Sequence, residues 1–375
     1  MNRHYKTPKR IYGSDLNDSD LLLNYVEDKE TLDNILASFG IYSYKKISKY
    51  PVHYSATCKK AIVGTKDGLY FLKEKAKYSD DDRKVDFCAK YQDYLSNRLR
   101  QVPTLLKTGD GNPYVRYGNR VYILSSYISG SCFMGKERQL ESAAYHLAKI
   151  HNLSFGFIKA VNSVGKATNK INSVASSRRF IQLADNLTST SKSKIKQLAI
   201  SNLDTHLRSM EDRPQPGVST AIHGDYIPSN LLFSPASGEV VGIFDFDNCG
   251  IGYIEKDVAE SLMSFCSGLN YKGSSSNLAA PISRKIDNAQ ALSFLSSYCR
   301  NAEFVTLDKN FIDRVIDEIM VQWPGIMCLG IVRGDFGYLD ILSALDFISN
   351  TETLRSSLKK NLLQGINKVG KNVRL

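Results

Sequence analysis

Apolar positions in this chain follow two kinds of spacing, and the change from one to the other divides it. Leu21, Leu22, Tyr25, Leu32, Ile35 and Leu36 recur at the three-to-four interval of a helix that opens at a Ser19 cap and stops at Gly40. The following stretch is rich in β-formers and predicts strands over 41–47, 53–63 and 69–73, the last two joined by a turn at Lys66-Asp67-Gly68. Alternation in 69–73 sets Phe71 and Lys73 on one face and Tyr70 and Leu72 on the other. Helical spacing returns over 83–99, with Val85, Ala89 and Leu95 inward, and two more strands are expected at 114–117 and 120–124 around Gly118-Asn119. Beyond this the pattern is mainly helical. A helix over 140–151 closes at His151, and Ile181, Leu183 and 195–203 form helical patches before the joint Arg213-Pro214-Gln215-Pro216-Gly217. Phe311, Ile312, Val315, Ile316, Ile319 and Met320 then line one helix face until Pro324-Gly325 bends or ends it.

Composition narrows the class. A length of 375 residues suffices for two cores, since single cores stop growing at about 250 to 300 residues. With 42% hydrophobic and 23% charged residues, neither a disordered nor a fibrous chain is indicated. The longest apolar stretch, 320–332, holds Pro324 and falls short of the roughly 20 residues a membrane span requires. The basic start runs into Ser14-Asp15 and not into an apolar core, so it does not read as a secretory signal. Seven cysteines, at 58, 88, 132, 249, 266, 299 and 328, form no C-x-x-C and are odd in number. That pattern suits reduced thiols and a cytoplasmic setting better than a disulfide frame or a zinc site. Net charge is +11, and 355–375 carries Arg355, Lys359, Lys360, Lys368, Lys371 and Arg374 without one acid. This stretch is either a solvated helical face or a surface for an anionic partner. No zinc-finger spacing or aromatic-basic sheet signature makes nucleic acid the expected partner.

The chemistry concentrates in 221–250, AIHGDYIPSNLLFSPASGEVVGIFDFDNCG. Asp225 sits beside a glycine in a loop, Asn230 follows five residues later at the head of an apolar strand, and a second apolar run delivers Asp245. One carboxylate to accept a hydroxyl proton, with an amide oxygen and a second carboxylate to hold Mg²⁺ on nucleotide phosphates, is the equipment of phosphoryl transfer. The pattern H-G-D-x-x-x-x-N followed by hydrophobic-D-F-D resembles the aminoglycoside phosphotransferase and choline kinase branch of the protein-kinase-like fold.

The resemblance implies an α+β, two-lobed fold: a polar arm at 1–18, a nucleotide-binding lobe at 19–126 with a small antiparallel sheet, and a mainly helical catalytic and acceptor-binding lobe at 127–375. It implies ATP and Mg²⁺ as cofactors, Asp225 as the catalytic base, and Asn230 and Asp245 as metal ligands. Lys73 becomes the lysine on the α- and β-phosphates, with Phe71 near the adenine; the alternative for Lys73 is a strand-end lysine snorkelling into water. The backbone of Ser126 and Ile128 would meet the adenine edge. Asp247 reaches either a second metal or water, or is a polar strand end. Asp86 stands where relatives carry a helix glutamate that pairs with the strand lysine, and is otherwise an exposed acid. His151 and Asp257 are structural, the latter capping a helix and bracing the catalytic loop. Asp335, Asp340 and Trp323 either line the acceptor site or belong to surface and core. The chain departs from the pattern in having no glycine over 48–53 to cover phosphates. Gly224 and Ile227, and the short interval from Asp245 to Asp257, separate it from protein kinases and point to a small-molecule hydroxyl acceptor. A +11 chain fits polycationic aminoglycosides poorly, though local charge can oppose net charge, and an aminoglycoside, homoserine, choline, a sugar or a natural product all stay open as acceptors. The alternative is a catalytically weak or inactive kinase-like scaffold, as in coat-associated relatives.

Overall fold

Strand β3 (Leu69–Glu74), which carries Lys73, is the middle strand of a five-stranded antiparallel sheet. Its neighbours are β2 (Lys60–Gly64) and β5 (Arg120–Ser126), with β1 (Lys46–Lys49) and β4 (Val115–Tyr117) at the edges. The computed structural model describes residues 29–49, 60–75, 82–162, 178, 182, 194–211, 217–266, 286–333 and 351–372. The arm at 1–18, the Ser19 cap, the glycine-free crossover from residue 50 on, the joint at 213–216, Asp335 and Asp340 lie outside these residues.

Helix α1 (Lys29–Ser38) covers one face of the sheet: Leu32, Ile35, Leu36 and Phe39 pack on Ile47, Ala61, Val63, Leu72, Tyr122 and Leu124. Gly40, at φ +77°, ends this helix; its N–H reaches the Ala37 carbonyl and that of Ile41 the Leu36 carbonyl, the paired bonds of a Schellman stop. Burial of Leu72 under α1 sets the register of β3, because side chains alternate faces, and turns Phe71 and Lys73 toward the opposite side. The strand expected at 41–47 begins only at Lys46, since Ile41 is held in the helix stop.

The larger lobe holds two short antiparallel ribbons, β6 (Ser219–Ile222) with β9 (Gly250–Tyr253) and β7 (Leu231–Phe233) with β8 (Val240–Ile243). Around them lie α3 (Glu137–Asn162), α4 (Lys194–Glu211), α5 (Ile254–Phe265), α6 (Asn288–Asn301), α7 (Lys309–Arg333) and α8 (Thr351–Asn372). Helix α2 (Asp82–Ser96) joins the two lobes. Its Phe87, Cys88, Tyr91 and Leu95 enter the larger core, while Ala89 packs with Leu105 and Ile123. Two members of the basic tail are engaged by acids of α7: Arg355 Nε lies 2.7 Å from Asp317, and Lys359 Nζ donates to Asp313 at 2.8 Å. Among the described residues no helix is long and apolar enough to cross a membrane.

Two helices outrun their expected ends. Helix α3 passes His151 and continues to Asn162, because Phe157 carries the apolar stripe onward and rests 5.0 Å from the Tyr91 ring. Helix α7 passes through Pro324. Proline has no N–H, so the Met320 carbonyl one turn earlier loses its helical donor. His206 of α4 replaces it, Nε2 donating to the Met320 oxygen at 2.8 Å in a buried position. A buried carbonyl left without a donor costs about 1–3 kcal/mol. His206→Ala is therefore expected to lower stability by about that amount in urea unfolding; a loss below about 0.5 kcal/mol would mean that the carbonyl finds another donor.

Candidate active site

The site is assembled from two loops that approach more closely than side chains normally permit. Gly224, between β6 and Asp225, has φ +76°, and a Cβ there would lie 2.3 Å from the Asn248 carbonyl oxygen. Only glycine tolerates both the left-handed backbone and the contact. The loop is suspended from Asp257 on α5, a fully buried carboxylate that accepts the His223 N–H at 2.7 Å and the Gly224 N–H at 2.8 Å. His151, inside α3, places Nε2 3.2 Å from the same carboxylate and Nδ1 2.7 Å from the Tyr298 hydroxyl. Burial pushes the Asp257 carboxyl up, but the His151 contact and nearby positive charge outweigh it and hold the group below the usual range. The His223 ring is buried 4.6 Å from Phe246 and gives Nε2–H to the Phe244 carbonyl at 3.0 Å. Burial lowers its pKa, so it is a neutral wedge.

Asp225 is half-buried, and its Oδ2 accepts Asn230 Nδ2 at 3.0 Å and lies 3.4 Å from Asn248 Nδ2. The turn Pro228–Asn230 delivers Asn230, whose Nδ2 also reaches the Asp225 carbonyl at 2.9 Å. With its nitrogen committed to Asp225, the amide turns its oxygen away from that residue. Asp245 follows β8 at φ 67°, ψ 58°, the one non-glycine residue with positive φ among the described residues, a conformation that Asp tolerates better than most. Its side chain is 28% exposed. Lys73 Nζ lies 2.8 Å from Asp245 Oδ1 and 2.7 Å from Asp247 Oδ2; Lys75 Nζ lies 3.3 Å from Asp247 Oδ1. Burial disfavours the charges of Lys73, Asp245 and Asp247, yet the pairs prevail: Lys73 is raised and both carboxyls are lowered.

The structure thus brings Lys73, Asp225, Asn230 and Asp245 together. Ser126 is the last residue of β5, and Ile128 follows two residues later. The Ser126 N–H donates to the Thr104 carbonyl at 2.9 Å, and Ile128 makes no backbone hydrogen bond among the described residues. Ile128 also walls the cleft: a Cβ on Gly242 would meet its Cγ2 at 3.3 Å and the Phe244 ring at 2.5 Å. Phe71, paired with Ser125, is half-buried on the Lys73 face. Asp86 does not serve the strand lysine; it pairs along its own helix with Lys90 at 2.8 Å, and Asp247 takes the place expected for it. Trp323 belongs to the larger core.

Among the described residues there is no group of three or more His, Cys, Asp or Glu that could hold a metal. The Asn230 and Asp245 oxygens nonetheless fit a hard cation that takes its remaining ligands from phosphate and water, the usual manner of Mg²⁺. One residue near the site was missed in the sequence. Glu260, one turn beyond Asp257 and four residues after Lys256, keeps only 17% of its side chain exposed. Burial raises its pKa first; Lys256 at 3.3 Å pulls it down, Asp225 and Asp257 push it up, and the carboxyl ends at about 8. Unfolded, it titrates near the ordinary 4.5. Between these values the folded state keeps a proton that the unfolded state has released, so stability falls as pH rises from 4.5 to about 8. Glu260→Gln is expected to remove that fall from the urea midpoint measured across this range; an unchanged slope would place the carboxyl in water.

Solved kinases share this architecture. Amicoumacin kinase hAmiN, in complex with AMP-PNP, Ca²⁺ and Ami, matches with a TM-score of 0.62 at 13% identity over 89% of this chain and 93% of its own. An aminoglycoside phosphotransferase from Alicyclobacillus acidocaldarius gives 0.54 at 18% identity, over 90% and 96%. The microcompartment-associated aminopropanol kinase gives 0.56 at 13%, over 90% and 98%. At such identities the likeness is one of fold, a small antiparallel sheet set on a larger helical lobe. A sequence search of curated proteins yields no match. The model of the phosphotransferase enzyme family (APH) matches residues 59–274, more than half of the 375, a span that includes Lys73, Asp225, Asn230 and Asp245. The chain belongs to that phosphotransferase family.

Proposed function

We propose that this protein transfers the γ-phosphoryl group of ATP to a hydroxyl of a small molecule. One observation carries the reading: two bonded couples, Asp225 with Asn230 and Lys73 with Asp245, come from separate stretches and are joined through Asn248, which contacts Asp225 and follows Asp247. Asp225, negatively charged and half-buried, orients the acceptor hydroxyl and takes its proton. Asn230 and Asp245 hold Mg²⁺, which when bound supplies charge neutralisation on the phosphates. Lys73 grips the α- and β-phosphates, and the Ser126 carbonyl and Ile128 amide receive the adenine edge beside Phe71. The chain's residues position and compensate charge and form no covalent bond to the substrate, in keeping with a loose transition state. The AMP-PNP and Ca²⁺ in the amicoumacin kinase complex support a nucleotide and a divalent ion here. The free thiols of the described cysteines suit a cytoplasmic setting.

Two measurements test the reading. ATP with Mg²⁺ or Mn²⁺ is expected to stabilise the protein by about 2.7 kcal/mol at 100 times the dissociation constant. ATP in excess chelator should not; an equal thermal shift there would remove Asn230 and Asp245 from the metal site. Asp225→Asn keeps the shape but removes the base, so turnover over a panel of hydroxyl metabolites should fall about 10²- to 10⁴-fold with ATP affinity little changed. Asp245→Asn should damage both. Undiminished activity in Asp225→Asn would end this mechanism, and a scaffold would show no phosphoryl transfer in any form.

A further inference from the structure

The two carboxylates that flank Lys73 are not equivalent. Asp245 is 28% exposed, and its Oδ1 lies 2.8 Å from Lys73 Nζ. Asp247 keeps 11% of its side chain exposed, and each of its oxygens faces a lysine that is itself only 6% exposed, Lys73 at 2.7 Å and Lys75 at 3.3 Å. The turn that carries it is pinned to the core. Phe246 lies 6.0 Å from the Tyr91 ring and 4.6 Å from that of His223, and the Cys88 thiol of α2 lies 3.7 Å from the Asp247 carbonyl. A carboxylate fixed in this way and saturated by two ammonium groups is poorly placed to ligate a metal.

We propose that Asp247, held by Lys75, is the positioning residue for Lys73, in the place where Asp86 proved to be engaged elsewhere. The inference rests on the function proposed above. When Asp245 turns to the metal, Lys73 loses that partner and keeps Asp247, so its ammonium stays where the phosphates arrive. The charge count explains the second lysine. Lys73 and Lys75 against Asp247 alone leave one net positive charge facing the nucleotide, whereas Lys73 and Asp247 without Lys75 would be neutral.

The test uses the full-length protein, with Mg-ATP affinity from calorimetry and apparent Mg²⁺ affinity from a metal titration at saturating ATP. Lys73→Met should weaken Mg-ATP binding. Asp247→Asn and Lys75→Met should each weaken it by about tenfold, in the middle of the range for coupling between contacting residues. Lys75→Arg should restore it, and Mg²⁺ affinity should stay unchanged. Lys73→Met/Asp247→Asn should bind no more weakly than Lys73→Met alone. Additive losses in the double variant, or a Mg²⁺ defect larger than the nucleotide defect in Asp247→Asn, would overturn the inference and leave the proposed function standing. No loss in Lys73→Met would overturn both. Should Asp247→Asn not fold, the Lys75 pair decides: recovery in Lys75→Arg supports the inference, and a loss shared by Met and Arg refutes it.

Discussion

The buried carboxylate of Asp257 is the interaction on which the site depends. A charge withdrawn from water is tolerated only when it is paired and hydrogen-bonded. Asp257 meets that condition by drawing in groups from three directions: the backbone N–H groups of His223 and Gly224, the ring of His151 inside α3, and through that ring the Tyr298 hydroxyl on α6. The catalytic loop cannot shift without stripping donors from this carboxylate. Asp225, one residue further on, inherits its position from that constraint.

The same constraint sets the chemistry of the opposite loop. With Gly224 pressed against the Asn248 carbonyl, the turn after β8 has little freedom, and Asp245 adopts its left-handed backbone at the turn's entrance. Two carboxylates so placed would repel each other, and Lys73 and Lys75 compensate. Desolvating such ions costs several kcal/mol each, roughly what their attraction returns. Stability therefore gives little reason for the cluster, whereas placing an ammonium accurately in a half-buried cleft gives a good one.

The grouping of Asp225, Asn230 and Asp245 could be read from sequence because it is local, the three lying on one short hairpin-linked segment, and strand alternation at 69–73 sets Lys73 on the face opposite Leu72. What escaped was tertiary. Helix α3 was expected to end at His151, yet that residue lies mid-helix, and its partners Asp257 and Tyr298 come from elsewhere in the chain. Pro324, expected to bend or end its helix, does not end it, and a histidine more than a hundred residues away supplies the missing donor. Asp86 had the right place in the order of elements but pairs within its own helix, and nothing local indicated that Asp247 would face Lys73.

Net charge misleads for a related reason. The surplus of +11 is a sum over the surface, and part of the basic tail that contributes to it is engaged away from the cleft, Arg355 with Asp317 and Lys359 with Asp313. Around Glu260 the charged groups are Lys256, Asp225 and Asp257, and repulsion from the two acids contributes to holding a proton on Glu260. That environment sets a carboxyl able to donate a hydrogen bond near Asp225. The field met by an acceptor is set by those few groups at short range, since contributions from the surface are screened over about 8–10 Å at ordinary ionic strength. A positively charged chain can therefore carry an acceptor site of the opposite character, and the sign of the acceptor has to be sought at Asp225 and Glu260 and not in the composition.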